Sequence, residues 1–182
     1  MGAFCPRFDV YCSGSTHSCG YNHETVVYAL KDCGYRLIDT AKRYGVETFI
    51  GQAVRDSGVD REEFFLSTKL WPTDYGADKT PIACQGSLDR LGTDYLDLFM
   101  LHWPEIHESW GSDRKRCLEE TWRAMELLYD SGKCRTIGVS NFQQNDLEQL
   151  LETASVVPHV NQCEFHPYQN PAHLRQFCEN NK

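Results

Sequence analysis

Six polar or ionisable residues lie at or near the ends of otherwise apolar runs. Asp39 closes YRLID, Lys69 closes FFLSTK and His102 closes LDLFMLH. Ser140 closes CRTIGVS with Asn141 beside it, and Gln162 lies within HVNQCEF. A carboxylate, an ammonium and an imidazole hold or move protons, while a hydroxyl and two amides hold a polar ligand through hydrogen bonds. Taken singly, each has a plainer reading. Asp39 and Lys69 form a buried ion pair, His102 before Trp103 and Pro104 is a core histidine, and Ser140-Asn141 caps the helix that follows. Together they are harder to dismiss: five runs each deliver a polar group at the same end, and packing alone does not ask for that.

The elements that position them follow from periodicity. Val26, Leu30 and Cys33 form one helical stripe closed by Gly34, and Val46, Ile50 and Ala53 form a second that ends near Gly58. A helix is predicted over 79–91, with Pro81 tolerated in its first turn. Leu118, Trp122, Met125 and Tyr129 make the longest stripe, stopped at Ser131-Gly132. Leu147, Leu150, Leu151 and Ala154 mark another, and residues 171–181 a last one. The apolar runs between them predict strands starting near 35, 64, 96, 134 and 159, with a weaker one from Phe8 to Cys12. Strands alternating with helices imply a parallel sheet covered by helices, or a barrel. In an eight-stranded β/α barrel the C-terminal ends of the strands carry the active site, and that is where the six residues fall.

Composition narrows the partners. The net charge of −8 repels phosphate backbones, so no nucleic-acid partner is expected. The longest apolar stretch, Leu96 to Trp103, is far short of the roughly 20 residues of a membrane span, so no membrane partner is expected either. The N-terminus lacks the apolar region of a signal peptide. Nine scattered cysteines without a Cys-x-x-Cys pair read as reduced, mostly buried thiols of a cytoplasmic chain, with no zinc spacing. Arg114-Lys115-Arg116 reads as the solvated start of a helix, and Met100 and Met125 as core. Nothing here specifies an oligomeric state.

The motifs GYRLIDTAKRYGVE (34–47), FFLSTKLW (64–71), DLFMLHWP (97–104), GVSNF (138–142) and NQCEFHPY (161–168), in this order, resemble the aldo-keto reductase family over residues 20–182. The resemblance implies an α/β fold, a (β/α)8 barrel of TIM type forming a single domain over 1–182. It further implies a nicotinamide cofactor, NADP(H), and a small-molecule aldehyde or ketone reduced to an alcohol. Carried over residue by residue, Tyr44 matches the proton donor, and Asp39, Lys69 and His102 its partners. The chemistry agrees. A free tyrosine has a pKa of about 10 and is a poor acid at neutral pH. A neighbouring Lys69 ammonium favours the tyrosinate, Asp39 orients Lys69, and His102 steers the carbonyl. Tyr44 also has a plainer reading, as an aromatic at a helix start packing on the barrel. Ser140, Asn141 and Gln162 match the clamp on the nicotinamide carboxamide. Asp39 also lines the cofactor site, Gly14 and Ser15 fall near the family's turn after the first strand, and Trp103 joins His102 and Tyr44 against substrate.

Two departures set further expectations. Six β/α units are legible where a closed barrel has eight, which predicts a truncated product or an incomplete gene model of a longer reductase. The family's 2′-phosphate site then lies beyond Lys182, so NADPH rather than NADH is implied by resemblance alone. Residues 1 to about 13 also differ from the family's start. The alternative to a carbonyl reductase is a catalytically inactive barrel fragment that acts, if at all, through binding.

Overall fold

The computed structural model describes residues 21–181 and the backbone of 9–11. Six strands, β1 (Asp9–Tyr11), β2 (Leu37–Asp39), β3 (Phe65–Leu70), β4 (Leu98–Leu101), β5 (Ile137–Ser140) and β6 (Asn161–Gln162), form one sheet in chain order, every pair parallel. Helices α1 (His23–Lys31), α2 (Glu47–Ser57), α3 (Lys79–Leu91), α4 (Arg114–Asp130) and α5 (Gln144–Leu151) connect successive strands, and α6 (Ala172–Asn180) follows β6. This is six units of the expected β/α barrel, with β1 and β6 as the end strands.

The helices form where the stripes place them. Asn22 caps α1 by accepting the Thr25 N–H at 2.8 Å. Gly58, with φ 68°, stops α2. Trp122, Met125, Leu30, Ile50 and Leu96 are fully buried in the layer between helices and sheet, a transfer worth about 1.5–3 kcal/mol for each such side chain. Two glycines permit close backbone approach. A Cβ at Gly51 of α2 would sit 2.5 Å from the Leu91 carbonyl oxygen of α3, and one at Gly138 of β5 would sit 2.7 Å from that of Val160.

Some expectations change. Cys33 lies past the end of α1 and is exposed, and Ala29 completes the buried stripe instead. Cys84, Cys117 and Cys134 are buried, whereas Cys163 and Cys178 are half-buried. The strands are shorter than the apolar runs: β2 begins two residues after Tyr35, and β6 holds two residues of the predicted seven. Arg114 is not merely solvated. Its guanidinium donates to the Pro104 carbonyl at 3.0 Å and to Gln149 at 2.8 Å, and it pairs with Asp146, so it ties α4 to α5 and to the segment after β4. Gly14 and Ser15 lie outside the described residues. No helix among the described residues is long and apolar enough to cross a membrane.

The register places the polar groups in layers. Asp39 stands opposite Ser67, and Ser67 opposite Leu98. Side chains two apart on a strand share a face, so Leu37 and Asp39, Phe65 and Ser67, and Leu98 turn to the same interior. There they line a cavity of about 460 Å³ that continues to Val160 and Gln162. The interior is apolar towards the strand starts and polar towards their ends.

Candidate active site

Asp39 is the last residue of β2, and Lys69 lies one residue before the end of β3. The Lys69 Nζ stands 2.6 Å from the Asp39 Oδ2 and donates to the Thr40 carbonyl at 3.2 Å, while the Ser67 hydroxyl donates to the Asp39 Oδ1. Both charged side chains are almost wholly buried, at 2% and 3% exposure. Burial lowers the pKa of the Lys69 ammonium and the Asp39 carboxylate opposes that shift. Removing two charges from water is costly unless each is paired and hydrogen-bonded, and here both are.

Tyr44 ends a 3-10 turn, Lys42–Tyr44, closed by Gly45 at φ 72°. The turn brings its half-buried ring over the ion pair, with the Lys69 Nζ 5.4 Å from the ring centroid. His102 meets the same ring edge-on, at 5.7 Å and 81°. His102 follows β4 and is held by its backbone N–H donating to the Leu70 carbonyl at 3.0 Å. Its imidazole is 7% exposed, and its Nδ1 has no hydrogen-bond partner among the described residues. Burial, with the Lys69 charge second, pulls its pKa down to about 4, so the ring is neutral at neutral pH. Trp71 packs edge-on to it at 5.2 Å. The partly exposed Trp103 joins Trp71, Thr73, Glu105 and Ile106 around an open depression of about 560 Å³.

Ser140, at the end of β5, pairs in register with Gln162 of β6. Asn141 adopts φ 64°, the one positive φ outside glycine among the described residues. Its backbone N–H donates to the Gln162 carbonyl at 2.9 Å, and its side-chain amide donates to the His102 carbonyl at 3.0 Å and to the Ser140 hydroxyl at 3.1 Å. Asn141 therefore ties the ends of β4, β5 and β6 together. This corrects the expectation that Ser140-Asn141 caps the following helix. The cap of α5 is Gln143, whose N–H donates to the Asp146 Oδ2 at 2.8 Å, because the helix begins only at Gln144 and its N-cap position therefore falls past Asn141.

All the expected site residues within the described chain converge on this one rim: Asp39, Tyr44, Lys69, His102, Trp103, Ser140, Asn141 and Gln162. Others in the same network were not singled out, although Ser67 and Glu47 lie within the motifs. Ser67 is detectable by strand parity, since it shares a face with Lys69. Tyr75, buried beneath the rim, donates to the Trp103 carbonyl at 2.6 Å, and burial raises its phenol pKa. Glu47 is buried on α2, accepts from the Thr68 hydroxyl at 2.6 Å and pairs with Arg90 at 2.7 Å, so it fastens α2 to α3 and β3. Such a set can shuttle a proton at Tyr44 and offer a neutral imidazole to a polar substrate atom. It also presents a hydroxyl and amides to a planar ligand.

Residues 18–182 match the family model described as the Aldo/keto reductase family. An uncharacterised oxidoreductase of Caenorhabditis elegans is 53% identical over 166 residues, which cover 91% of this chain and 51% of that protein. The glyoxal reductase of Bacillus subtilis is 47% identical over 156 residues, covering 86% and 53%. The chain thus spans about half the length of these curated relatives. Among solved structures, an aldo/keto reductase from Brucella melitensis superposes with a TM-score of 0.80 at 43% identity, over 87% of this chain and 59% of that one. A Bombyx mori aldo-keto reductase in complex with NADP does so with 0.79 at 34%, over 87% and 52%.

Proposed function

The chain belongs to the aldo/keto reductase family, and from that premise we propose that it carries the acid-base site of an NADP(H)-dependent reductase of small aldehydes and ketones. The observation that supports this most is the buried Lys69–Asp39 pair beneath the Tyr44 ring, with a neutral His102 beside it. The nicotinamide cofactor, when bound, supplies the hydride. Ser140, Asn141 and Gln162 would hold its carboxamide. The fit rests on Gln162 lining the interior cavity together with Asp39, and on Ser140 and Asn141 standing beside Gln162 at the strand ends.

This chain's residues supply the rest. Tyr44 holds the proton that the developing alkoxide takes up. The Lys69 ammonium stabilises the charge left on the phenol oxygen, and Asp39, fixed by Ser67, keeps the ammonium in place. Since its pKa is pulled down to about 4, His102 acts as a neutral hydrogen-bonding partner that orients the carbonyl, not as a cationic acid. Trp71 and Trp103 wall the approach with apolar surface. The glyoxal reductase likeness makes a small dicarbonyl the first substrate to try.

The test follows NADPH oxidation with glyoxal and simple aldehydes in wild type and Tyr44→Phe. Turnover should fall by about 10²–10⁴ in the variant, the usual worth of a positioned general acid, while NADPH affinity stays within about threefold. Equal loss of turnover and cofactor binding, or no turnover in the wild type, overturns the proposal.

A further inference from the structure

At the opposite ends of the strands, α3 meets the segment that leads into β5. Cys84 of α3 and Cys134 face each other there, with their sulfurs 3.8 Å apart and both side chains fully buried. They are 50 residues apart in the chain. Leu96, just before β4, bridges Cys134, so the contact lies at the strand starts, away from Tyr44 and His102. The neighbouring residues repeat the connection: the Lys133 Nζ donates to the Gln85 side chain at 2.8 Å. Gln85 and Lys133, each next in the chain to one of the two cysteines, also line one surface depression of about 340 Å³. Neither thiol has a part in the site described above.

From this juxtaposition we infer that Cys84 and Cys134 are a dithiol that hydroperoxides convert reversibly to an intramolecular disulfide. A disulfide needs its sulfurs at about 2.05 Å, a closure of less than 2 Å from the present 3.8 Å. The Cys84 thiolate attacks the peroxide oxygen, displaces hydroxide and becomes a sulfenic acid. The Cys134 sulfur then attacks that sulfur and releases water. Two thiols and one hydrogen peroxide give one disulfide and two waters, with the peroxide as the two-electron oxidant. The scheme is the same with the two cysteines exchanged: either sulfur can donate in the contact, and the Lys133 charge favours a thiolate at both.

Exposed Cys33 provides an internal gauge of oxidant dose. The full chain is treated with hydrogen peroxide until Cys33 is fully oxidised, then unfolded in alkylating reagent, digested and mapped by mass spectrometry. A peptide pair joining Cys84 to Cys134, released by dithiothreitol, is the expected result. Cross-linking a loop of this length should raise the melting temperature by on the order of 5–10 °C. Cys134→Ala should give neither the linked peptide nor the rise. If Cys33 is fully oxidised while Cys84 and Cys134 both still take the alkylator, or if each links to some other cysteine, the inference is wrong. The mapping is done on the wild type, so it decides the matter even if the variant folds poorly, and it does not depend on reductase turnover.

Discussion

Two buried carboxylates hold ion clusters at opposite ends of the same sheet, and the clusters are built from different cations. At the strand ends, Asp39 holds a lysine, and Tyr44 and His102 close over it. At the strand starts, Asp97 holds two arginines, Arg61 at 2.7 Å and Arg135 at 3.2 Å, and accepts the Leu66 N–H at 2.9 Å. The two guanidiniums sandwich the Tyr95 ring, each 3.9 Å from its centroid. Arg61 also donates to Thr93 and to the carbonyls of Phe64 and Tyr95. A guanidinium keeps its proton at every working pH, and a planar fork held by four acceptors fixes structure. An ammonium, a phenol and an imidazole are groups that gain or lose protons. A buried ion pair is therefore not in itself the mark of an active site. The mark is a pair whose cation titrates, next to other groups that titrate.

Cutting both clusters tests that distinction. Lys69→Met leaves the Asp39 carboxylate buried with Ser67 as its main partner and should cost about 3–5 kcal/mol in urea unfolding, besides abolishing turnover. Replacing both partners, as Asp39→Leu with Lys69→Met, removes the unpaired charge and should recover most of that stability while turnover stays lost. A double variant as unstable as the single one would mean that the pair is there to hold the fold.

Acid sharpens the contrast. The folded pKa of His102, about 4, lies below the ordinary 6.5. The unfolded chain therefore binds the extra proton first as pH falls. The stability due to a neutral His102 is complete above about pH 6.5 and is lost progressively between there and about 4, by up to about 3 kcal/mol. His102→Asn should flatten the stability profile in that window, and the imidazole resonances of the wild type should titrate near pH 4. A His102 that titrates near 6.5 would remove the basis for its role as a neutral partner.

The strand-start cluster should respond more mildly. Asp97→Asn keeps the shape but loses the charge-assisted bonds to Arg61 and Arg135. Because Arg135 is half exposed, at 53%, water compensates in part, and a loss of about 2 kcal/mol is expected. Turnover of aldehydes should be unchanged within error at a temperature where the variant stays folded. A selective loss of turnover would erase the division between the two ends.

The same division explains what was legible without coordinates. Helix positions were legible because each stripe repeats over several turns and stops at a residue such as Gly58. The rim residues were legible because a polar group at the end of an apolar strand is conspicuous. Strand limits were not, since YRLID does not reveal that the register with β3 starts at Leu37. The Arg61–Asp97–Arg135 cluster was also invisible, because charged residues beside strand starts look like ordinary solvated loops. Arg114 misled for the same reason, since its partners Pro104 and Asp146 lie 10 and 32 residues away. The capping expectation at Asn141 failed because the sequence does not show where the first helical turn closes: α5 begins at Gln144, which puts the cap two residues later, at Gln143.

Asn141 also gives the smallest expected effect, and it separates two contributions. Its backbone sits at φ 64°, where a side chain with a Cβ is disfavoured and asparagine is better tolerated than most. Its amide also holds the His102 carbonyl. Asn141→Gly relieves the first contribution and loses the second, so it should cost about 1 kcal/mol. Asn141→Ala loses the bond and keeps the strain, so it should cost about 1 kcal/mol more. If the bond to His102 also aligns the imidazole, both variants should raise KM for glyoxal to a similar extent despite their different stabilities. A KM that followed stability instead would show that Asn141 acts on the fold of the rim and not on the position of His102.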